Sequence, residues 1–280
     1  MGLRIAVKVA YFNTFNMVHG FQVQPDVETI FSLLKKALLK SEFIDDRESK
    51  IDYAGRTDHG VNAISQVIAF NLNKRFTVVP ERFLHRINSR LPKNIKCWAF
   101  SIVPSEFKPR FDALERSYYY VYTLQQQELL DIDLMKKSKD LLIGFHNFIN
   151  FAKKDNDNDN YEREIKEITI KENNDRILFS ITAKSFLWQQ CRRIFAHLVQ
   201  IGKKQIGSQY TEQLLLNSGK IIKPTPLPPE NLVLTNILYQ DISFLEDTSI
   251  KLKILQILHE NMFENTKKVN FLGFLIDSFS

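Results

Sequence analysis

A chain of 280 residues, 44% hydrophobic and 25% charged, has the make-up of an ordinary water-soluble protein long enough for two lobes. No apolar run reaches the ~20 residues that a membrane span needs, and the first residues enter a strand without a secretory core, so a cytoplasmic location is expected. Two cysteines, Cys97 and Cys191, exclude a disulfide framework or a cysteine-rich zinc site, and the net charge of +6 favours a polyanionic partner as readily as it fits a lysine-rich surface.

In chain order, Ile5, Val7, Val9 and Tyr11 alternate with Ala6, Lys8 and Ala10 as in a half-buried strand. Pro25-Asp26 opens a helix whose apolar residues Val27, Ile30, Phe31, Leu34 and Leu38 recur at helical spacing. A strand is expected over 64–72. A second helix runs from Pro80, with Phe83, Leu84, Ile87 and Leu91 on one face, and stops before Pro92. Residues 96–102 read as a strand and 104–109, with two prolines, as a linker.

The second half restarts with a strand over 117–124, then a helix at about 134–142 and a polar Asn/Asp segment over 153–161. Strands at 165–171 and 176–183 form a hairpin. Helices follow at about 188–203 and at 211–218, then a strand over 232–239. A helix over 250–262 and a strand over 269–276 end the chain. The reading is an α+β protein with an N-terminal lobe, 1–104, and a C-terminal lobe, 110–280.

The most informative segment is Tyr53-Ala54-Gly55-Arg56-Thr57-Asp58-His59-Gly60-Val61-Asn62-Ala63, which sets one carboxylate between two glycines with an arginine two residues before it. A carboxylate near a guanidinium is favoured in its charged form and can act as nucleophile or base. The same residues also suit a plain turn, because Asp and Gly favour turns for reasons unrelated to catalysis.

The wording around Asp58 resembles the tRNA pseudouridine synthase A family, whose signature is G-R-T-D-x-G-V-H-A followed by a Q-V strand. Gly55, Arg56, Thr57, Asp58, Gly60, Val61, Ala63, Gln66 and Val67 match it, and Asn62 replaces the family's histidine. Gly20-Phe21-Gln22 is similar to the G-W-Q that precedes the first helix. Tyr11-Phe12-Asn13 departs from the usual Y-D-G. Asn88-Ser89-Arg90-Leu91-Pro92 looks like N-x-x-L-P, and 107–113 with 116–122 looks like A-R-F-S-A and R-x-Y-x-Y. The block 186–194 resembles F-x-x-x-M-V-R-x-I, and 229–234 resembles A-E-G-L-x-L with Asn231 in place of glycine.

The resemblance implies the pseudouridine synthase fold: two ferredoxin-like lobes that share a central, mainly antiparallel sheet. It implies that uridine is isomerised to pseudouridine at positions 38–40 of the tRNA anticodon stem-loop. Asp58 would act on the sugar, by attack at C1′ or by taking the 2′ proton. Tyr118 would stack on the base and relay a proton, and Arg192 would pair with Asp58. Arg56 would fill the space of the flipped base, Arg110 and Arg116 would contact phosphates, and Leu232 would form an apolar floor. A homodimer across which one stem-loop binds is implied too.

From the residues alone, Tyr118, Tyr120 and Tyr122 share one face of a strand and Tyr119 and Val121 the other, a pattern that packing explains as well. Arg192 borders a stripe of Cys191, Ile194, Phe195 and Leu198, where its long side chain can reach a cleft or simply meet solvent. No metal and no organic cofactor are expected. The run 155–160 mimics half a calcium loop but has Asn160 at the turn glycine and Lys166 at the closing glutamate. The six histidines lack ligand spacing, and no phosphate-loop motif is present. A non-catalytic RNA-binding protein with two such lobes is the competing reading, since basic charge and sheet tyrosines suit it too.

Overall fold

In the computed structural model the described residues are all except 1, 13–19, 22–26, 46–48, 126–127, 156–158, 174 and 280; the side chains of 277 and 279 are also outside the description. Pro25-Asp26, Gln22 and Asn13 therefore lie outside the described residues, as does the middle of the Asn/Asp segment.

The fold is α+β, built on one ten-stranded sheet in the order β10-β4-β1-β3-β9-β5-β8-β7-β6, with β2 paired to β3 off that path. The N-terminal half supplies β1 (Arg4–Tyr11), β2 (Ile51–Tyr53), β3 (Asn62–Asn71) and β4 (Ile95–Val103). The second half supplies β5 (Ala113–Thr123), β6 (Gly144–Asn147), β7 (Glu162–Asn173), β8 (Arg176–Ala183), β9 (Leu232–Tyr239) and the two-residue β10 (Leu245–Glu246). The described strand pairs are antiparallel with one exception. Where the halves join, β3 runs parallel to β9 through Asn62↔Val233 and Ala63↔Leu234.

The first two helices start later than apolar spacing suggests, because local turn and cap geometry decides where a helix can begin. Helix α1 is Ile30–Lys40: Thr29 accepts from the Ser32 amide while the Ser32 hydroxyl accepts from the Thr29 amide. Helix α2 is only Phe83–Asn88, entered through Arg82 at a φ of 55°, so the stretch from Pro80 is a turn and not a helical start. Helices α3 (Ile132–Asp140), α4 (Gln190–Gly202) and α5 (Gln209–Leu216) fall near the expected places.

The strand expected over 269–276 is not present. Those residues continue α6, Thr248–Phe279, one helix of 32 residues. Its apolar pattern fits both periods, since Val269, Leu272 and Ile276 also recur at helical spacing, and no proline intervenes to stop the helix. The chain after Tyr239 crosses back to the N-terminal half, where β10 pairs with β4 and α6 begins. Beyond its first turn α6 leaves Leu252, Leu255, Met262, Val269 and Ile276 exposed. No helix among the described residues is long and apolar enough to cross a membrane.

Apolar packing supplies most of the stability. Strands β1 and β3 are buried on both faces, and Phe179 and Phe195 stack at 4.9 Å between β8 and α4. The 104–109 link is pinned at both ends: Arg4 Nε donates to the Phe107 carbonyl at 2.8 Å, and the Tyr239 hydroxyl to that of Pro109 at 2.9 Å.

One buried group makes the core acid-sensitive. His197 is fully buried, with Nε2 2.9 Å from the Thr211 hydroxyl, and burial pulls its pKa down from 6.5 to about 4. Between those values the unfolded chain binds a proton that the folded chain refuses, so stability falls as pH drops through that window. The loss from pH 7 to 5 should be on the order of 2 kcal/mol at this site. Urea midpoints should then fall further for the wild type than for His197→Gln. Equal falls would assign the acid sensitivity to other groups.

Candidate active site

Asp58 sits in the loop between β2 and β3, at the seam of the two sheet halves. The loop is tied down on several sides. The Tyr11 hydroxyl is 2.7 Å from the Thr57 hydroxyl, and Gln66 donates to the Gly55 carbonyl at 2.8 Å. The Phe21 amide donates to the Thr57 carbonyl at 3.3 Å, and the Val61 amide closes the turn on Asp58 at 3.2 Å. Two glycines let the neighbours come close. Gly20 has a φ of +67°, and a Cβ there would lie 3.1 Å from the His59 nitrogen. Gly60 has a φ of +88°, and its Cβ would lie 2.7 Å from Pro229 Cγ. Gly20 thus explains, in contacts, why the segment before α1 matters to the Asp58 turn.

The two departures near the seam are accommodated. Asn62 donates through its side-chain amide to the Glu230 carbonyl at 2.6 Å, fastening β3 to the segment before β9. Asn231 ends a short 3-10 turn, Pro229–Asn231, and has no positive φ, so glycine is not required there.

Opposite the turn, Arg192 of α4 donates through Nη2 to Asp58 Oδ2 at 2.9 Å. Its other terminal nitrogen donates to the Leu227 carbonyl at 2.9 Å, and the Leu227 amide returns to the Arg192 carbonyl at 3.3 Å. The guanidinium is buried rather than at a solvent margin, because residues 224–227 cover the face that the helical pattern leaves open. Its Nε is buried with no partner among the described residues. The Asp58 side chain keeps 26% of its surface open. The pair is thus fixed on the cation side and accessible on the anion side. A charge-assisted hydrogen bond of this kind contributes about 1.5–3 kcal/mol, toward the low end here because the carboxylate is partly exposed.

Strand β5 brings Tyr118 to the same place. Register sets Tyr118 against Leu234 on one side and Ile181 on the other, and Tyr120 against Leu232 and Phe179. These residues therefore share one face of the sheet, which α4 covers. Tyr118 is 8% exposed and Tyr119, on the other face, 37%. Thr235 forms a bulge in β9 beside Tyr118, with its hydroxyl donating to the Ser117 carbonyl at 3.0 Å, a device that re-aims side chains next to a site. Burial raises the Tyr118 pKa well above its ordinary 10.0, reinforced by Cys191, Tyr11 and the Asp58 charge. The hydroxyl donates to and accepts from no described residue.

The other residues singled out from sequence are spread around this centre. Leu232 is 5% exposed on the face that carries Tyr118. Arg56 and Arg110 are exposed and line a cavity of about 290 Å³ beside the site. Arg116 is placed differently: it is buried, donating to the carbonyls of Lys184, of Ala54 at 2.7 Å and of Arg110 at 2.8 Å. Its guanidinium braces the strand that enters the Asp58 turn. Tyr11, Cys191 and Phe186 also lie near Tyr118. Phe186 meets Tyr118 edge-on at 5.3 Å, and only assembled strands and helices bring these three together. Among the described residues no three His, Cys, Asp or Glu side chains gather as a metal site.

The seam of the shared sheet thus carries a charged pair whose anion is partly exposed, with a buried phenol nearby. The tRNA pseudouridine synthase family profile matches residues 140–240. The chain is 35% identical over 248 residues to the tRNA pseudouridine synthase A of Methanosarcina acetivorans, covering 88% of each chain. It is 36% identical over 249 residues to that of Thermococcus sibiricus, again covering 88% of each, and 32% identical over 250 residues to that of Archaeoglobus fulgidus, covering 89% of each. The chain belongs to the tRNA pseudouridine synthase family. Pseudouridine synthases are isomerases, and this chain is an enzyme of that class.

Proposed function

We propose that the protein isomerises uridine to pseudouridine at one or more of positions 38–40, on the 3′ side of the tRNA anticodon stem-loop, and that it does so as a homodimer. The observation that carries this reading is the Asp58–Arg192 pair, anchored on the guanidinium side and accessible on the carboxylate side. The C1′–N1 bond breaks, the uracil turns, C5 joins C1′, the C5 proton leaves and N1 gains one. Substrate and product are isomers, so the chemistry calls for no redox partner or energy source. It needs a carboxylate at the sugar, a pocket for the detached base and a group to move the C5 proton.

In this reading Asp58 acts at the sugar, either attacking C1′ or removing the 2′ proton, with Arg192 holding it in place. Tyr118 stacks on the uracil and relays the proton. Leu232 floors the pocket. A base in a paired stem is reachable only when flipped out, which costs a few kcal/mol, and in this reading Arg56 fills the vacated space. Arg110 meets phosphate. Arg116 serves the site through the Asp58 turn, since three of its N–H groups donate to carbonyls.

The test is release of tritium to water from a tRNA transcript tritiated at uracil C5. Release by the wild type, with 38–40 as the labelled positions that lose tritium, is the expected result. Tight binding without release would make the protein an RNA-binding module. Release confined to other positions would overturn the assignment of the stem-loop.

A further inference from the structure

The cavity beside the site carries an unbalanced charge. Arg56, Arg110, Lys153 and Arg163 converge on it from four separate chain segments, against one carboxylate, Asp155. Like charges brought together in this way repel, and an anion of the substrate is what relieves the repulsion. Among the described residues, the side chains of Arg56, Arg110 and Lys153 donate to no protein acceptor. Arg163 is held by Nη1, which donates to the carbonyls of Asn160 at 3.1 Å and Glu162 at 2.6 Å, while its Nε is buried without a partner among the described residues.

The other wall is aromatic. Trp188 is 43% exposed, with Lys153 Nζ 4.0 Å from its ring centre. The Lys153 amide donates to the Trp188 carbonyl at 2.9 Å, so the cation and the indole are fixed to one another. Phe186 lines this cavity and also meets Tyr118, so one ring separates it from the uridine site. At about 290 Å³ the space is at the lower end of small-ligand sites and suits one residue of a polymer rather than a whole strand.

Resting on the function proposed above, we propose that this cavity is a second RNA subsite, for the nucleotide next to the flipped uridine. Its phosphodiester lies among Arg110, Lys153 and Arg163, and its base or ribose lies against the exposed part of the Trp188 indole. Cations interleaved with an aromatic platform are what holds single-stranded nucleic acid without reading its sequence. The subsite would grip the strand beside the target and keep it from sliding back into the helix once the uridine has turned out.

The chain offers its own probe. It has two tryptophans, and Trp98 is 7% exposed with its indole N–H on the Ile64 carbonyl. Titrating the wild type with an anticodon stem-loop RNA should quench tryptophan fluorescence, and Trp188→Phe should remove that quench. Lys153→Gln and Arg163→Gln should each flatten the dependence of log affinity on log salt by about 0.7–0.9, the release of one counterion's worth of charge. Lys153 is exposed, so that variant remains informative if Arg163→Gln unfolds. A quench that survives Trp188→Phe, or a slope unchanged in Lys153→Gln, overturns the subsite. So does the same quench with inorganic phosphate alone, which would make the cavity a site for free anions. Tritium release separates this from the parent reading. Wild-type release without a Trp188 quench removes the subsite and leaves the isomerase, whereas a Trp188 quench without release supports RNA binding in the cavity and removes the assignment to positions 38–40.

Discussion

Asp58→Asn should lower tritium release by about 10⁴-fold or more, the scale seen when a group that carries the chemistry itself is removed. The amide keeps nearly the shape of the carboxylate and one oxygen that can still accept from Arg192 Nη2, so the turn is retained. What disappears is the charge that, in the proposed mechanism, attacks C1′ or takes the 2′ proton. Stability should fall by about 1–3 kcal/mol, because the buried guanidinium then faces a neutral acceptor. RNA affinity should hold or rise, since removing an anion from a basic cleft lowers repulsion against phosphate. The measurements are single-turnover tritium release, filter binding and thermal unfolding on one preparation. Activity within tenfold of the wild type, with the fold intact, would take the chemistry away from Asp58.

The pair owes its position to an arrangement that crosses the molecule. Asp58 comes from the N-terminal half and Arg192 from a helix lying on the C-terminal half, and the two meet where β3 and β9 run in parallel. Around that seam each half contributes a brace. Tyr11 and Gln66 hold the turn from one side, while Arg116 reaches it from β5 and Pro229 packs on Gly60 from the other. The site therefore forms only when both halves of the sheet are in register. Substitutions at the seam should act on activity before they act on the stability of either half.

How much of this the sequence disclosed follows from range. Strands β8 and β9 match their expected ends because turn residues bound a clear apolar alternation on both sides. Asp58 was marked by a long ungapped string of residues, all local. By contrast β2 and β10 have three and two residues, too short to show any period. The start of α2 was misplaced because Pro80 suits a first helical turn and a tight turn equally well. Residues 269–276 continue a helix where a strand is expected because their apolar spacing fits both periods, and no single segment shows that the sheet offers them no neighbour. Arg192 looked marginal because helical spacing describes one element, while the segment that covers it arrives 32 residues later, at 224–227. The basic cavity with Trp188 gathers residues from five segments, and nothing local announces it.

Tyr118→Phe isolates a single oxygen. The ring, its burial against Phe186 and its place beside Leu234 are unchanged, so stacking on the uracil and RNA affinity should survive. Turnover should fall by about 10²–10⁴, the contribution of a positioned proton-transfer group. The raised pKa determines how that group works. With its value held well above 10.0 by burial, the hydroxyl stays protonated through neutral and mildly alkaline pH, so in the proposed mechanism it would handle the C5 proton as a neutral relay and not as a standing phenolate. Two consequences follow for pH. The wild-type rate should show no rise near pH 10 from ionisation of this residue. Above that pH the unfolded chain gives up the phenolic proton while the folded chain keeps it, so stability should decline with rising pH, and less steeply in the Phe variant. A Phe variant that releases tritium as fast as the wild type would leave the hydroxyl no chemical part, and the C5 proton would then have to leave by another acceptor in the cleft.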